Sequence, residues 1–327
     1  QSGGPTAVIN SSLAGVYKTA RVRGFHKVYG MLHGIQGFLD EQYVDLSTQI
    51  HTDMDIELLK RTPSAFLGSC RFKLPEIHEN SEIYEKIFQI LDKLDIEAFI
   101  YIGGNDSMDT IKKLSDYAIV KGHEQKFLGV PKTIDNDLAL TDHTPGFGSA
   151  AKYIAASTKE IIRDALGLPY NDKEAITVIE VMGRNAGWLT GATALARTEE
   201  CEGPDLIYLP EVVFDIDKFL KTTQDLLKKK ESVIIAVSEG IKLADGRYVC
   251  ELSGGADYVD AFGHKQLQGT AAYLAGFLGA ETGCKTRSIE FSTLQRSASH
   301  MASRVDVDEA FMVGGAAVKA ADEGDTG

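Results

Sequence analysis

Short apolar runs alternate with amphipathic stretches along most of the chain. The apolar runs are continuous rather than alternating, which predicts β-strands that are covered on both faces. Between them, apolar residues recur with the spacing of one helix face. The predicted strands are His26–Gly30, Ala98–Ile102, Lys126–Val130, Ile176–Val181, Asp205–Leu209 and Val233–Val237. The predicted helices are Asn10–Arg23, Glu79–Leu94, Ser107–Lys121, Ala150–Leu166 and Asp215–Lys229.

This order of strands and helices predicts an α/β fold with a doubly wound parallel sheet. The length of 327 residues fits two domains or one large α/β domain. Ligands of such folds bind beyond the carboxyl ends of the strands. Polar motifs that directly follow a strand are therefore the candidates for chemistry.

Net charge and composition narrow the range of possible functions. The formal net charge of −13 argues against a nucleic-acid partner, so a polyanionic substrate would need a local cluster of Arg and Lys. The sequence has no apolar run long enough to span a membrane. The four cysteines are scattered without a C-x-x-C motif, which indicates reduced thiols in a cytoplasmic protein rather than a disulfide or zinc framework.

Two glycine loops lead into predicted helices. The first precedes helix Asn10–Arg23, and the second follows strand Ala98–Ile102. Glycine lets the backbone come close to a ligand, and the N–H groups of a helix N-terminus suit an anion. Two such loops favour a bound polyphosphate, although the acid and the hydroxyl of the second loop could instead cap its helix. The residues concerned are Gly3, Gly4, Gly104, Asn105, Asp106 and Ser107.

Charged side chains follow the strand Lys126–Val130. The loop carries Lys132, Thr133, Asp135 and Asp137, which is more polar chemistry than a simple turn needs, although an Asn-Asp turn would explain part of it. One carboxylate could take the proton of an attacking hydroxyl while a cation stabilises phosphoryl oxygens.

Two later strands are also followed by polar motifs. Strand Ile176–Val181 leads into Met-Gly-Arg, and strand Val233–Val237 leads into Ser-Glu-Gly. An arginine at a strand end suits forked recognition of a phosphate. The candidate residues in this part of the chain are Met182, Gly183, Arg184, Glu239, Arg287 and Arg296.

Together these motifs resemble those of the phosphofructokinase family, from Gly3 to about Arg304. The run Pro-Lys-Thr-Ile-Asp-Asn-Asp followed by Met-Gly-Arg is highly specific. The resemblance implies that Asp135 is the catalytic base and that Lys132, Thr133 and Asp137 act beside it on Mg²⁺ and the transferring phosphoryl group.

The resemblance also implies the binding residues. Those for the phosphoryl donor are Gly3, Gly4, Arg71, Gly104, Asn105, Asp106 and Ser107, and those for Mg²⁺ are Asp106, Asn105 and Asp135. Those for the sugar phosphate are Thr133, Asp135, Met182, Gly183, Arg184, Glu239, Arg287 and Arg296. Arg287 is expected to contribute to the active site of a neighbouring subunit, which implies a homodimer or homotetramer with shared active sites.

The fold implied by the resemblance is two doubly wound parallel-sheet (Rossmann-like) domains with the active site in the cleft between them. Residues 1–137 and 247–297 are expected to form the donor and Mg²⁺ domain. Residues 138–246 and 298–327 are expected to form the fructose 6-phosphate domain.

Donor choice depends on two loop positions. ATP-using members of the family carry Gly-Gly-Asp-Gly-Ser and Pro-Gly-Thr-Ile-Asp-Asn-Asp, whereas this chain has Asp106 and Lys132 at one glycine of each. Asp106 would repel the α-phosphate of a nucleotide, and Lys132 would pair with the end of pyrophosphate. The aromatic residue that stacks on adenine is also absent, with Ile35 near its place. The resemblance therefore favours a reversible, pyrophosphate-dependent phosphofructokinase.

Three alternatives remain at this point. An ATP-dependent 6-phosphofructokinase is the nearest. A catalytically silent, sugar-phosphate-binding regulatory homologue is suggested by Asn105, which stands where the family has a metal-associated aspartate. A nucleotide-binding dehydrogenase shares the fold class, but the sequence has no G-x-G-x-x-G motif.

Overall fold

The structure is a computed structural model and describes residues 1–167, 174–253 and 267–327. The helices are α1 (Ile9–Arg23), α2 (Gly34–Leu39), α3 (Asp53–Arg61), α4 (Ser81–Lys93), α5 (Asn105–Lys121), α6 (Phe147–Leu166), α7 (Trp188–Ala192), α8 (Ile216–Leu227), α9 (Thr270–Thr282), α10 (Leu294–Ser297) and α11 (Arg304–Asp322). The strands are β1 (Tyr29–Met31), β2 (Tyr43–Asp45), β3 (Ala98–Gly103), β4 (Lys126–Pro131), β5 (Ala175–Val181), β6 (Leu206–Tyr208), β7 (Ser232–Ser238) and β8 (Lys285–Glu290).

The predicted α/β fold with parallel strands is confirmed. Each predicted helix and strand is present, with ends that differ by up to about three residues, as is usual at element boundaries. The chain forms two compact units. The first unit contains Gln1–Thr133, His143–Ser149 and Ser297–Gly327, and the second contains Ile134–Asp142 and Ala150–Arg296.

The first unit is built around two pairs of strands. β3 and β4 are parallel, so that both end at the same edge, where Gly103 lies opposite Pro131. β1 begins at Tyr29 rather than at the predicted His26, and it pairs antiparallel with β2, which follows it along the chain after α2. A cavity of about 430 Å³ is lined by residues of both β1 and β3.

Helix α11 completes the first unit by crossing α1 at very close range. A methyl group added to Gly15 would stand 1.9 Å from the carbonyl oxygen of Phe311, and one added to Gly314 would stand 2.1 Å from that of Ser12. Glycine at both positions therefore allows the two backbones to touch. This contact is the reason that residues 298–327 do not join 138–246, as the sequence interpretation expected, but belong with the first unit.

The second unit contains a four-stranded parallel sheet in the order β6-β7-β5-β8. The strands β5 and β7 are buried along almost their whole length, as their apolar runs predict. β8 pairs with β5 from Ala175 opposite Lys285 to Glu180 opposite Glu290. The described part of 247–297 therefore belongs largely to this unit and not, as expected, with 1–137. Residues 254–266 of that segment lie outside the described residues.

Among the helices in the described ranges, none combines the length and the apolar character needed to cross a lipid bilayer. All four cysteines lie in the described part of the chain and are free thiols.

Candidate active site

The side chain of Lys132 reaches both glycine loops of the first unit. Lys132 directly follows β4, and its N–H donates to the carbonyl of Gly103 at the end of β3 (3.0 Å). A methyl group built on Gly3 would stand 3.2 Å from the Lys132 Nζ, and one built on Gly104 would stand 3.7 Å from it. The side chain is only 8% exposed. A nearly buried ammonium group thus faces two stretches of backbone that carry no side chain, which suits the oxygens of a small polyanion.

The first glycine loop is fixed to the segment that carries Arg71. Gly3 has a φ of 75°, a left-handed conformation that favours glycine. Its N–H donates to the carbonyl of Cys70 (3.0 Å), and its carbonyl accepts a hydrogen bond from the Ser69 hydroxyl. Arg71 follows directly and is exposed. The predicted donor residues of the two segments are therefore neighbours.

The second glycine loop leads into α5 with Gly104 at the N-cap position. Within the described residues no side chain caps this helix, so capping does not explain Asp106 and Ser107, which are the second and third helical residues. Ser107 is buried because Gly103 leaves room for its hydroxyl; a methyl group on Gly103 would stand 2.0 Å from that oxygen. Asn105 is exposed and Asp106 half-buried.

Asp306, in α11, holds the segment beside Thr133 in the first unit. Its two carboxylate oxygens accept hydrogen bonds from the N–H groups of Gly146 and Ser149, both at 2.9 Å. The neighbouring Pro145 carbonyl accepts from the Thr133 N–H (3.1 Å). The sequence interpretation missed this carboxylate, because its partners lie 160 and 157 residues away in the chain.

The structure brings the predicted sugar-phosphate motifs of the second unit together. The N–H of Gly183 donates to the Glu239 carboxylate (3.3 Å), and the Gly183 carbonyl accepts from the Ser238 hydroxyl (2.8 Å). The N–H of Met182 donates to the amide oxygen of Gln295 (3.1 Å). Ser238 and Gln295 were not among the predicted residues, although each is adjacent to one that was.

Electrostatic interactions tie Glu239 to two other candidates of this unit. The pKa of Glu239 is raised to about 7, and burial is the main cause; the Gly183 N–H and Arg184 lower the pKa, whereas the negative charges of Glu180 and Asp135 contribute to the rise. The Met-Gly-Arg loop and the Ser-Glu-Gly loop also approach closely, since a methyl group on Gly240 would stand 2.0 Å from the Arg184 carbonyl oxygen. Asp135, Arg184 and Glu239 thus share one charged environment.

Glu180 is a second buried carboxylate in the same unit. It lies near the end of β5 and is 6% exposed, and its carboxylate accepts from the Ala271 N–H at the start of α9 (2.8 Å). Burial raises its pKa to about 7, and the charge of Glu290 also raises it. The Thr270 hydroxyl, in the same helix turn, donates to the Glu239 carbonyl (3.3 Å). An acid inside an apolar strand was the signal that could have revealed it.

Arg287 lies away from these loops within its own chain. It is in register with Thr177, about 16 Å along the strand from Met182 at the usual rise per residue. Its guanidinium pairs with Asp164 (3.1 Å), and both side chains are largely exposed. The expected role of Arg287 in a neighbouring subunit's site stays a prediction.

The first turn of α5 carries side-chain oxygens of the kind that suits a magnesium ion held jointly with a substrate. In the described ranges no three His, Cys, Asp or Glu side chains cluster as a complete metal site. Mg²⁺ however commonly uses one or two carboxylates together with phosphate oxygens and water. Asp106 and Asn105 offer such oxygens on the accessible first turn of α5, and Asp135 and Asp137 are half-buried and exposed, respectively.

Ile35, the residue near the expected adenine-stacking position, is fully buried in the core of the first unit. It packs with residues such as Phe38 and Tyr101. It therefore offers no surface on which an adenine ring could stack.

Comparisons with known proteins identify the family of this chain. A family model described as phosphofructokinase matches residues 1–321. The chain is 42% identical to a pyrophosphate–fructose 6-phosphate 1-phosphotransferase of Xanthomonas campestris, over 99% of this chain and 76% of that protein. It is 32% identical to a sulfofructose kinase of Alkalicoccus urumqiensis, over 100% of this chain and 80% of that protein. A crystal structure of a pyrophosphate-dependent phosphofructokinase from Nitrosospira multiformis matches with a TM-score of 0.85 and 38% identity, over 100% of this chain and 76% of that one. The chain belongs to the phosphofructokinase family.

Proposed function

We propose that this chain is a pyrophosphate-dependent phosphofructokinase. It transfers a phosphoryl group reversibly from pyrophosphate to the 1-hydroxyl of fructose 6-phosphate, and the products are fructose 1,6-bisphosphate and phosphate. Relatives named pyrophosphate–fructose 6-phosphate 1-phosphotransferase, at 42% identity, support the proposal. It places the chain in glycolysis and gluconeogenesis.

The observation that carries the choice of donor is the Lys132 ammonium group beside Gly3 and Gly104. A lysine is a compact point charge that suits a terminal phosphate group. Asp106, half-buried on the first turn of α5, adds negative charge where a nucleotide would need room for an α-phosphate. Buried Ile35 offers adenine no surface. Pyrophosphate needs neither room for an α-phosphate nor a surface for adenine.

The chemical step moves one proton and one phosphoryl group. The Asp135 carboxylate accepts the proton of the sugar 1-hydroxyl as that oxygen attacks the nearer phosphorus of pyrophosphate, and the phosphorus–oxygen bond to the leaving phosphate breaks. Lys132 and Arg71 stabilise the negative charge that spreads over the phosphoryl oxygens, while Thr133 and Asp137 support the transferring group. Positioning and charge neutralisation supply most of the catalysis.

The second unit supplies the sugar-phosphate contacts. Arg184 and Arg296 hold the 6-phosphate together with Arg287 of a neighbouring subunit, and Met182, Gly183 and Glu239 contact the sugar. The hydrogen bond from Gly183 to Glu239 supports this assignment, because it keeps the two loops in one arrangement before the substrate arrives. A homodimer or homotetramer follows from the role of Arg287.

Magnesium is part of the proposal. Asp106, Asn105 and Asp135 would hold Mg²⁺ with the pyrophosphate, and the ion would neutralise charge on the phosphate oxygens. A cytoplasmic location fits the four free thiols.

The deciding experiment is a coupled assay with fructose 6-phosphate and Mg²⁺ in which pyrophosphate and ATP are compared as donors. We expect turnover with pyrophosphate and little with ATP. Turnover with ATP alone would overturn the donor assignment, and absence of turnover with both would favour the silent homologue. Repeating the assay with sulfofructose as acceptor tests the substrate of the more distant relative.

The role of Lys132 is tested by comparing two lysine variants of the first unit. Lys132→Met should lower turnover with pyrophosphate by about two orders of magnitude, the usual cost of removing one charge-stabilising group. Lys113→Met removes another largely buried charge of this unit, that of a lysine paired with Glu76 and Asp109 (both 2.8 Å). That variant should lose stability and keep its kinetics with pyrophosphate. Equal kinetic losses in both variants would contradict the role of Lys132.

A further inference from the structure

Gln295 is a nearly buried side chain between the end of β8 and Arg296. It is 2% exposed, and both ends of its amide have partners. The oxygen accepts from the Met182 N–H (3.1 Å), and the nitrogen donates to the Ser292 carbonyl (3.0 Å). Because one partner is a donor and the other an acceptor, the two contacts together fix which way the amide points.

The turn that Gln295 holds has an uncommon backbone. Ser292 has a φ of 45°, in the left-handed region that residues other than glycine seldom adopt. On one side the turn is anchored by Phe291, which is buried and whose N–H donates to the Glu180 carbonyl (3.2 Å). On the other side it leads directly to Arg296. A strained turn persists only where its surroundings hold it, and the amide nitrogen of Gln295 is one of these restraints.

The other end of the amide holds the Met-Gly-Arg loop. Gly183 is held by Ser238, the last residue of β7, and by Glu239, which follows it. Gln295 binds the preceding residue, Met182, from the segment that carries Arg296. One side chain therefore links the two segments to which the proposed function assigns the 6-phosphate contacts, Arg184 and Arg296.

We propose that Gln295 is a positioning residue that sets the affinity for the sugar phosphate. It touches no substrate itself, but it keeps the backbone of Met182 and the turn before Arg296 at a fixed distance. Loss of the amide leaves the Met182 N–H without its acceptor and releases the turn. The inference rests on the proposed function, because it takes Arg184 and Arg296 to bind the 6-phosphate.

The test uses Gln295→Met, which keeps the length of the side chain and removes both hydrogen bonds. KM for fructose 6-phosphate should rise about tenfold, which corresponds to about 1.4 kcal/mol, while kcat and KM for pyrophosphate change less than about twofold. The matched control is Thr223→Val, which also removes a buried hydrogen bond to backbone in the second unit (Thr223 hydroxyl to the Phe219 carbonyl, 2.9 Å). The control should lose stability without a change in either KM.

A second readout does not need turnover. Fructose 6-phosphate should raise the thermal unfolding midpoint of the wild type and of Thr223→Val by similar amounts, and that of Gln295→Met by clearly less at the same concentration. An unchanged KM and an unchanged midpoint shift in Gln295→Met, in a wild type that turns over, would overturn the positioning role alone. A wild type that neither turns over nor is stabilised by fructose 6-phosphate would overturn the proposed function, and this inference with it.

Discussion

Replacing the buried acid Glu180 by glutamine should make the protein more stable at neutral and alkaline pH. The carboxylate is 6% exposed and lies beside the like charge of Glu290 on the neighbouring strand. The N–H groups of Gly269, Thr270 and Ala271 stabilise its ionised form only in part, since burial still raises its pKa to about 7 from its ordinary value of 4.5.

The sign and size of the effect follow from that pKa. The folded protein holds the proton of Glu180 more tightly than the unfolded chain does. The contribution of this proton to the free energy of unfolding is therefore fully present below about pH 4.5 and is lost as the pH rises through about 7. A rise of about 2.5 in pKa, at about 1.4 kcal/mol for each pKa unit, corresponds to a loss of about 3 to 4 kcal/mol. The glutamine oxygen can still accept from the Ala271 N–H, so Glu180→Gln avoids the loss without giving up that contact.

The assay is urea unfolding from about pH 5 to about pH 8, with the free energy of unfolding compared between the wild type and the variant. The two should be nearly equal at the acid end, and the variant should gain as the pH rises. Glu231→Gln is the control, because Glu231 is exposed and directly precedes the neighbouring strand β7. A difference between Glu180→Gln and the wild type that stays constant with pH, or a variant that is less stable at about pH 8, would refute the reasoning.

Two more changes test the site and the fold. Asp135→Asn should lower turnover by about two to four orders of magnitude, while fructose 6-phosphate should still raise its thermal unfolding midpoint. The control Asp142→Asn, at an exposed position further along the chain, should keep normal turnover. Near-normal turnover of Asp135→Asn would exclude Asp135 as the base. Gly15→Ala should destabilise the first unit severely in urea unfolding, because its methyl group would stand 1.9 Å from the Phe311 carbonyl oxygen. Gly276→Ala is the matched control, since no atom of the described residues lies within 4 Å of the added methyl group. Its free energy of unfolding should rise by about 0.5–1 kcal/mol. Similar losses of stability in the two variants would contradict the close crossing of α1 and α11.

The buried strands and the glycine loops are predictable because their causes are local. β5 and β7 are continuous apolar runs, and a strand buried on both faces needs little else to identify it. β8 could not be found in this way, since its sequence KTRSIE is largely polar and exposed. It is a strand because β5 offers its backbone groups as partners, and those partners are about a hundred residues away.

The features of the candidate site fall into the same two groups, those with local causes and those that depend on distant partners. Sequence alone indicated which loops are candidates for the chemistry, because glycine, lysine and acidic residues that directly follow strands can be recognised from residue type and position. Only the tertiary structure decided that the Lys132 ammonium lies beside Gly3, that Asp306 holds the segment next to Thr133, and that Gln295 holds Met182. The physical reason is that hydrogen bonds and close contacts depend on distance in space, and a residue's own sequence neighbourhood does not encode partners that packing brings from elsewhere in the chain.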